Sequence, residues 1–451
     1  MLTFIGVAII FVVVGLLVLR KLAPTACLIL VPFIGVLLAG FSLPQIGEFY
    51  GNGLKTVTQV AAMFIFAITF FGVMQDTGLF RPIVSALVSL SRGNVVAVAV
   101  CTAVVGMLAH LDGVGATTFL LTIPTLLPLY RRLKMNPYLM LMLLALGAGI
   151  LNMMPWAGPL GRAAAVVNLD PVALWRPLIP LQLTGVVLLV LLAVLLGIRE
   201  QRRLAASARG SASTAPEGSS AGIETDVQAD VQADDMPTEV NESLLRPRLL
   251  WVNGVLFLGV LGALISGVLP SGYIFMIGLA VALMINYPRV DDQMARIAAH
   301  APNALMMGSI ILAAGTFLGI LNGSGMLTSI AQDMVQILPG GAAPHLHLII
   351  GFFGLPLDLL LSTDAYYFAL LPIVVQIVST YGVEPATAIY AMQIGNVIGT
   401  FISPFSPALW LALGLAGLEM GKHLRYSLVC MWIFSLVLLM AAVLMGLIPI
   451  A

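Results

Sequence analysis

The sequence predicts an all-α polytopic membrane protein built as two inverted repeats, with about ten transmembrane helices and two re-entrant hairpins. Three observations carry this expectation. Of the 451 residues, 60% are hydrophobic and 9% charged, with a mean hydropathy of +1.07, whereas soluble domains carry about 25% charged residues. Prolines recur in register: Pro124 and Pro372, Pro137 and Pro385, and Pro159 and Pro407 are each 248 residues apart. Upstream, Thr69, Phe70, Gly72 and Gly78 meet Thr316, Phe317, Gly319 and Gly325 at an offset of 247, so one inserted residue reconciles the two blocks. Finally, basic residues border the first copy of the motif region (Arg81, Arg92, Arg131, Arg132, Lys134), where the second has Asp333, His345, His347 and Glu384. Loss of the basic bias at equivalent loops turns the second copy upside down.

The formal net charge is zero, so no basic surface argues for nucleic acid. The three cysteines, Cys27, Cys101 and Cys430, lie far apart in apolar runs without metal spacing and read as core. Leu2 to Leu19 lacks a basic leader and a small-residue cleavage signature, which makes it a retained first helix.

In chain order, apolar runs of spanning length cover 2 to 19, 22 to 41 and 55 to 75. Arg20 and Lys21 place the first loop in the cytoplasm and the N-terminus outside. Residues 78 to 92 carry an apolar stripe (Leu79, Ile83, Leu87, Leu90) between Arg81 and Arg92, an interfacial amphipathic pattern. Runs 94 to 109 and 116 to 130 are short for spans and have basic residues at both outer ends, which favours a re-entrant hairpin over two short crossings. A helix from Pro137 ends at Asn152, where Met153 to Pro159 break it. Another run, 178 to 198, returns to the cytoplasm at Arg199.

These features set the expected domains: a first repeat over 1–198, a flexible cytoplasmic linker over 199–248 and a second repeat over 249–451. The linker segment holds nine acidic and six basic residues and a short tandem from Asp226 to Asp234, too little apolar surface to order itself. After it the pattern recurs at 249 to 269, 273 to 287, 303 to 321, 324 to 338 and 346 to 361.

Chemistry centres on the stretch His110 to Thr118. Asp112 lies within an apolar run, and an aspartate at membrane depth costs roughly 2.5 to 3.5 kcal/mol, so such residues mark pathways or wet cavities. Gly113 and Gly115 free the backbone from helical geometry, and exposed amides at a helix start, with the Thr117 and Thr118 hydroxyls, suit an anion. Asn152 and Arg162 at the second break add an amide and a guanidinium whose fork fits a carboxylate. The repeat sets Ser362, Thr363 and Asp364 opposite the first tip, and Thr400 to Ser406, with Ser403, opposite the second break.

Asp112 and Asp364 would repel an anion unless protonated or cation-bound, which is one route to coupling. His110 and Asp358 are the remaining titratable candidates for a coupling ion or proton. The plainer alternatives stand beside these: hydroxyls bonded to their own backbone, Arg162 as an interfacial anchor, and Asp358 and His110 as structural groups.

Inverted repeats with broken helices meeting near the midplane are the architecture of secondary transporters. An embedded hydrolase using Asp112 with Asp364, or His110 with a serine, is the alternative from another class. The sequence has no HExxH motif, so an enzyme is not expected.

At these residues the chain resembles the citrate and metal:proton symporter (CitMHS) family of the ion transporter superfamily, over most of both halves. The motifs are Asp112-Gly113 with Gly115, Thr117 and Thr118; Leu127-Pro128-Leu129-Tyr130; Asn152 with Pro155-Trp156, Gly158-Pro159, Arg162-Ala163 and Leu169-Asp170-Pro171; Thr363-Asp364-Ala365-Tyr366; and Gly399-Thr400 with Ser403-Pro404. The chain departs from the family pattern at Val114, Ala116 and Leu160-Gly161, where the family has a second aspartate, a serine and Thr-Ala.

The resemblance implies an elevator-type, multi-pass symporter of the inner (plasma) membrane, dimeric, importing citrate or a related di- or tricarboxylate with protons. A sodium-coupled dicarboxylate carrier is the alternative within transport. The expected partners are thus a small carboxylate, the lipid bilayer and a second copy of the chain. No cofactor is expected. H+, Mg2+/Ca2+ and Na+ are the candidate co-transported ions, with any divalent metal carried by the substrate and not fixed in the protein.

Overall fold

The computed structural model describes residues 2–19, 21–82, 86, 94–212 and 242–449. Among these every regular element is helical, as the composition requires, because a chain in hydrocarbon must satisfy its backbone groups within each segment. Helices α1 (Leu2–Val18), α2 (Pro24–Leu38) and α3 (Leu43–Asp76) open the first half; α10 (Leu250–Ser266), α11 (Ser271–Asn286) and α12 (Val290–Gly323) open the second. The bounds repeat the two offsets read from the sequence. For α1 and α10 both ends differ by 248 (250 − 2 and 266 − 18), and for α3 and α12 by 247 (290 − 43 and 323 − 76).

Helices α3 and α12 pack directly on each other, and their contacts give the relative direction of the halves. A β-carbon on Gly53 would lie 2.7 Å from the Gly319 Cα, and one on Gly72 would lie 2.6 Å from Cε1 of the His300 ring. Gly53 is equivalent to His300 and Gly72 to Gly319, each 247 apart, so the two contacts are mates of one another. Equivalent helices that meet in this way run antiparallel, and within one membrane the second copy is therefore inverted. At one end the crossing is lined by glycine. At the other, Asp76 accepts from His300 Nε2 at 2.8 Å and pairs with Arg296 Nη1 at 3.4 Å. Leucine at Gly319 is expected to overpack this crossing at a cost of about 1–3 kcal/mol. Leucine at Gly47, which faces open space, is the control; thermal melts of detergent-solubilised protein compare them, and equal midpoints would contradict the tight crossing.

Both long helices begin earlier than their apolar runs. Residues 43–54 carry Glu48, Asn52 and polar neighbours, and 290–302 carry Asp291, Asp292 and Arg296, so a hydropathy window reads the first turns as loop. Helix formation there is set locally, by a Ser42–Gln45 capping box before α3 and by two aspartates in the first turn of α12. Among the described residues five helices are long and apolar enough to cross a membrane; shorter apolar helices, of 10 to 17 residues, include arms beside the chain breaks.

The expected linker is structured at both of its ends. The helix entering it, α9 (Ile179–Ala212), continues past Arg199 because Glu200, Gln201, Arg202, Arg203 and Leu204 are helix formers and are anchored. Glu200 Oε1 accepts from the Asn136 amide at 2.6 Å, and Arg203 binds both carboxylate oxygens of Glu200 and the Lys134 carbonyl. Before α10, Arg246 donates its amide to Thr77 O at 3.0 Å and its Nε to Asn286 O at 2.8 Å, and lies over the Tyr287 ring. Residues 213–241, and most of the amphipathic segment 78 to 92, lie outside the described residues.

Candidate functional site

Each half contains two places where the chain leaves helical geometry, and they converge. The first separates α4 (Val95–Ala109) from α5 (Gly115–Arg132). Gly113 takes φ +72°, a left-handed conformation open to glycine at little cost. Asp112 folds back on the break: Oδ1 accepts from the Val114 amide at 2.9 Å and Oδ2 from the Thr117 hydroxyl. Its carboxylate therefore fixes the start of α5, accepting from N–H and O–H donors where a new helix leaves its first amides unsatisfied.

The second break, Asn152 to Ala157, lies between α6 (Pro137–Leu151) and α7 (Gly158–Val167). Trp156 is buried, stacks on Phe71 with ring centroids 4.8 Å apart, and donates Nε1 to Leu111 O at 2.8 Å, so the second break supports the first. His110 joins them: Nδ1 meets the Thr118 hydroxyl at 2.8 Å and Nε2 meets Asn152 Oδ1 at 3.2 Å. Asn152 Nδ2 donates to Val397 O and Gln393 Nε2 donates to Asn152 O, both at 3.2 Å, which ties the first half to the second. Since Nδ2 of Asn152 is a donor to a carbonyl, its Oδ1 faces His110, and Nε2 of the ring carries the hydrogen.

In the second half, residues 358–364 separate the short helix α15 (Gly354–Leu357) from a π-helical turn, Ala365–Leu370, which runs into α16 (Leu371–Ser379). Such π turns concentrate at functional sites. Ser362 Oγ accepts from the Ala365 amide at 3.2 Å. The last break, Asn396 to Ser406, follows α17 (Pro385–Gly395) and ends where Ser406 caps α18 (Pro407–Ala416) through the Leu409 amide. Ser403 Oγ accepts from Phe405 N at 3.3 Å.

Together the four breaks line a cavity of about 310 Å³, the lower end of the range for small-molecule sites, about 300–1,000 Å³. Ten of the residues singled out from the sequence reach it: His110, Gly113, Gly115, Asn152, Arg162, Ser362, Thr363, Asp364, Thr400 and Ser406. Asp112, Thr117, Thr118, Ser403 and Asp358 are not in its wall. The walls also contain Phe64 and Ile68 of α3 and Asn303, Met306 and Met307 of α12, which sequence reasoning passed over. Asn303 was findable as a polar residue beside Pro302 near the start of an apolar run; the methionines carried no signal.

Inside the cavity, Arg162 Nε donates to Asp364 Oδ1 at 2.7 Å, with the two side chains 11% and 14% exposed. The remaining guanidinium nitrogens meet no oxygen among the described residues; Nη2 lies 3.9 Å from Met307 Sδ. The site thus holds a fork of spare donors, helix starts at Gly115, Gly158 and Pro407, and hydroxyls at Ser362, Thr363, Thr400 and Ser406. This chemistry receives carboxylates. A larger cavity of about 470 Å³, at the other end of the α3–α12 pair around Asn52, Thr56, Asn168 and Asn322, has no charged residue in its wall and offers an anion far less.

Two inverted halves that bring broken helices to one carboxylate-friendly cavity define a membrane transporter of the secondary type. Residues 1–395 match the CitMHS family model, described as citrate transporter. The chain is 35% identical over 449 residues to a citrate transporter of Bacillus subtilis (strain 168), covering 99% of this chain and 100% of that one. It is 34% identical over 447 residues to the Mg(2+)/citrate complex secondary transporter of the same organism, covering 98% of each. The chain belongs to the CitMHS citrate transporter family and is a multi-pass membrane transporter, not an enzyme. A solved structure, the YdaH transporter of Alcanivorax borkumensis, is similar in fold with a TM-score of 0.54 at 16% identity, covering 90% of this chain and 87% of that one.

Proposed function

We propose that this protein imports citrate, or a closely related di- or tricarboxylate, by proton symport through an elevator-type movement. The observation that carries the reading is the Arg162–Asp364 pair inside a cavity walled by both halves. A citrate carboxylate takes the place of Asp364 on the guanidinium, and its other carboxylates face the hydroxyls and helix starts of the four breaks. Asp364, released from Arg162, then faces the substrate's proton or a divalent ion carried with it.

The supports for movement are structural. The first, second and fourth breaks are cross-tied through His110, Asn152, Val397 and Gln393, so in this reading they travel as one body, while the α3–α12 pair supplies a rigid crossing. In this reading the short arms α4–α5 and 346–379 are re-entrant hairpins, the repeats divide at the segment between 198 and 249, and the protein works as a homodimer in the plasma membrane.

Equilibrium dialysis of purified protein against labelled citrate, with and without Mg2+, tests the substrate. Saturable binding displaced by unlabelled citrate and little affected by acetate is expected. Absence of saturable citrate binding in both conditions would contradict the reading.

A further inference from the structure

Asp358 is fully buried, and neither carboxylate oxygen has a hydrogen-bond partner among the described residues. Its neighbour Asn396 is also buried, with Nδ2 donating to Gly354 O at 3.0 Å and Oδ1 left without a partner. That carbonyl bond fixes the amide, since the reverse orientation would set Oδ1 against the Gly354 oxygen. The carboxyl of Asp358 and the Oδ1 of Asn396 then converge on one spot, the place where a side chain on Gly399 would begin. Two acceptor groups facing each other away from water are costly unless something with a positive end lies between them.

The repeat supplies an internal control. Asp358 stands 248 residues after His110, and the His110 ring has both nitrogens satisfied, by Thr118 and Asn152. The same position in the second half is the unsatisfied one. We propose that Asp358 is the proton-carrying group of the transport cycle, its carboxyl hydrogen donated to Asn396 Oδ1. This rests on the proton-symport reading above.

The step is a proton transfer alone. H+ from water on one side of the membrane adds to the Asp358 carboxylate, and the same H+ returns to water on the other side; no other bond changes. In the protonated form Asp358 holds the turn 396–399 against α15. That turn leads directly into Thr400 and Phe401, and Asp358 leads into Ser362, Thr363 and Asp364, all in the cavity wall. Without the proton, carboxylate and amide oxygen repel, both walls loosen, and citrate binding is weakened. Proton and citrate therefore favour each other, as linkage demands of a symporter.

The titratable groups on elements packed around this spot are Tyr366 and Tyr367 of the π turn, His347 of α14 (Leu346–Phe352), Tyr390 of α17 and His423 of α19 (Met420–Leu444). Tyr366, Tyr390 and His423 are engaged with the carbonyls of Met392, Leu174 and Phe401. The Tyr367 hydroxyl and both His347 nitrogens have no hydrogen-bond partner among the described residues. Arg162 is already paired with Asp364, which leaves Asp358 as the carboxyl at this spot.

Infrared spectra of the reconstituted full chain, taken near neutral pH in H2O and D2O, read the proton directly. A protonated-carboxyl band that shifts in D2O, is absent from Asp358→Asn and moves when Asn396→Leu removes its acceptor is expected. Wild-type spectra showing only ionised carboxylate, or a carboxylate band that responds to Na+, would overturn the proposal, and the wild-type spectrum alone decides this should a variant fail to fold. In proteoliposomes, Asp358→Asn should lose accumulation driven by a pH gradient by at least about tenfold relative to its own downhill uptake; undiminished accumulation would also overturn it. The infrared band does not depend on the substrate's identity, so a chain that keeps the band but fails to bind citrate refutes the substrate reading and leaves this one standing.

Discussion

Replacing Arg162 by alanine is expected to weaken citrate binding at least about thirtyfold, and by lysine about tenfold. Arg162 is the cationic side chain in the cavity wall among the described residues, and truncating one partner of a buried charge pair costs about 2–5 kcal/mol, of which the lower end is already a factor of about thirty. Alanine also leaves Asp364 facing the anion with its charge uncompensated. Lysine keeps the charge but loses the planar fork that meets a carboxylate through two parallel N–H groups. Dialysis against labelled citrate measures both variants. Affinities within experimental scatter of wild type would show that Arg162 is an anchor of the fold and not a ligand for the substrate.

Asp364→Asn is expected to separate net uptake from exchange. When the site is without substrate, Asp364 neutralises Arg162; asparagine leaves a charge that the protein must carry through its return movement. An uncompensated charge in a buried site costs several kcal/mol, and a barrier raised by only about 1.4 kcal/mol already slows the return tenfold. Net uptake should fall at least about tenfold, while citrate-for-citrate exchange, which never moves the site without substrate, persists. Citrate affinity should rise because the competitor for the guanidinium is gone. Should exchange fall as well, and added Mg2+ partly restore it, Asp364 binds a metal carried with citrate. Unchanged uptake and exchange would make the pair structural.

The division of labour among the acidic residues shows what a sequence can and cannot convey. The repeat was legible because prolines and glycines keep their register when the rest of a membrane helix drifts among apolar residues, and the helix bounds reproduce the offsets of 247 and 248 read from them. The first break was legible because an aspartate is costly at membrane depth and stands out there, and the glycines beside it free the backbone. The partner of each aspartate was not. Asp112 binds the amide of Val114 two residues on, and Asp364 binds Arg162 across the repeats, yet both are an acid in an apolar run when read along the chain.

The same limit hid Asn396 and Met307, whose roles come from packing between segments distant in sequence. It also shortened the expected spans of α3 and α12. Their polar first turns are helical because of caps and first-turn acids, which a hydropathy window does not weigh. The ends of the linker were misread for a related reason: Glu200, Arg203 and Arg246 are charged, but each is fixed by a particular partner.

Uptake of labelled citrate into proteoliposomes, with the pH gradient, the Na+ gradient and Mg2+ or Ca2+ varied separately, tests the central claim most directly. The account predicts accumulation against a citrate gradient when the outside is more acidic, unaffected by Na+ and lost in Arg162→Ala. Accumulation that follows the Na+ gradient and ignores the pH gradient, or that survives in Arg162→Ala, would contradict it.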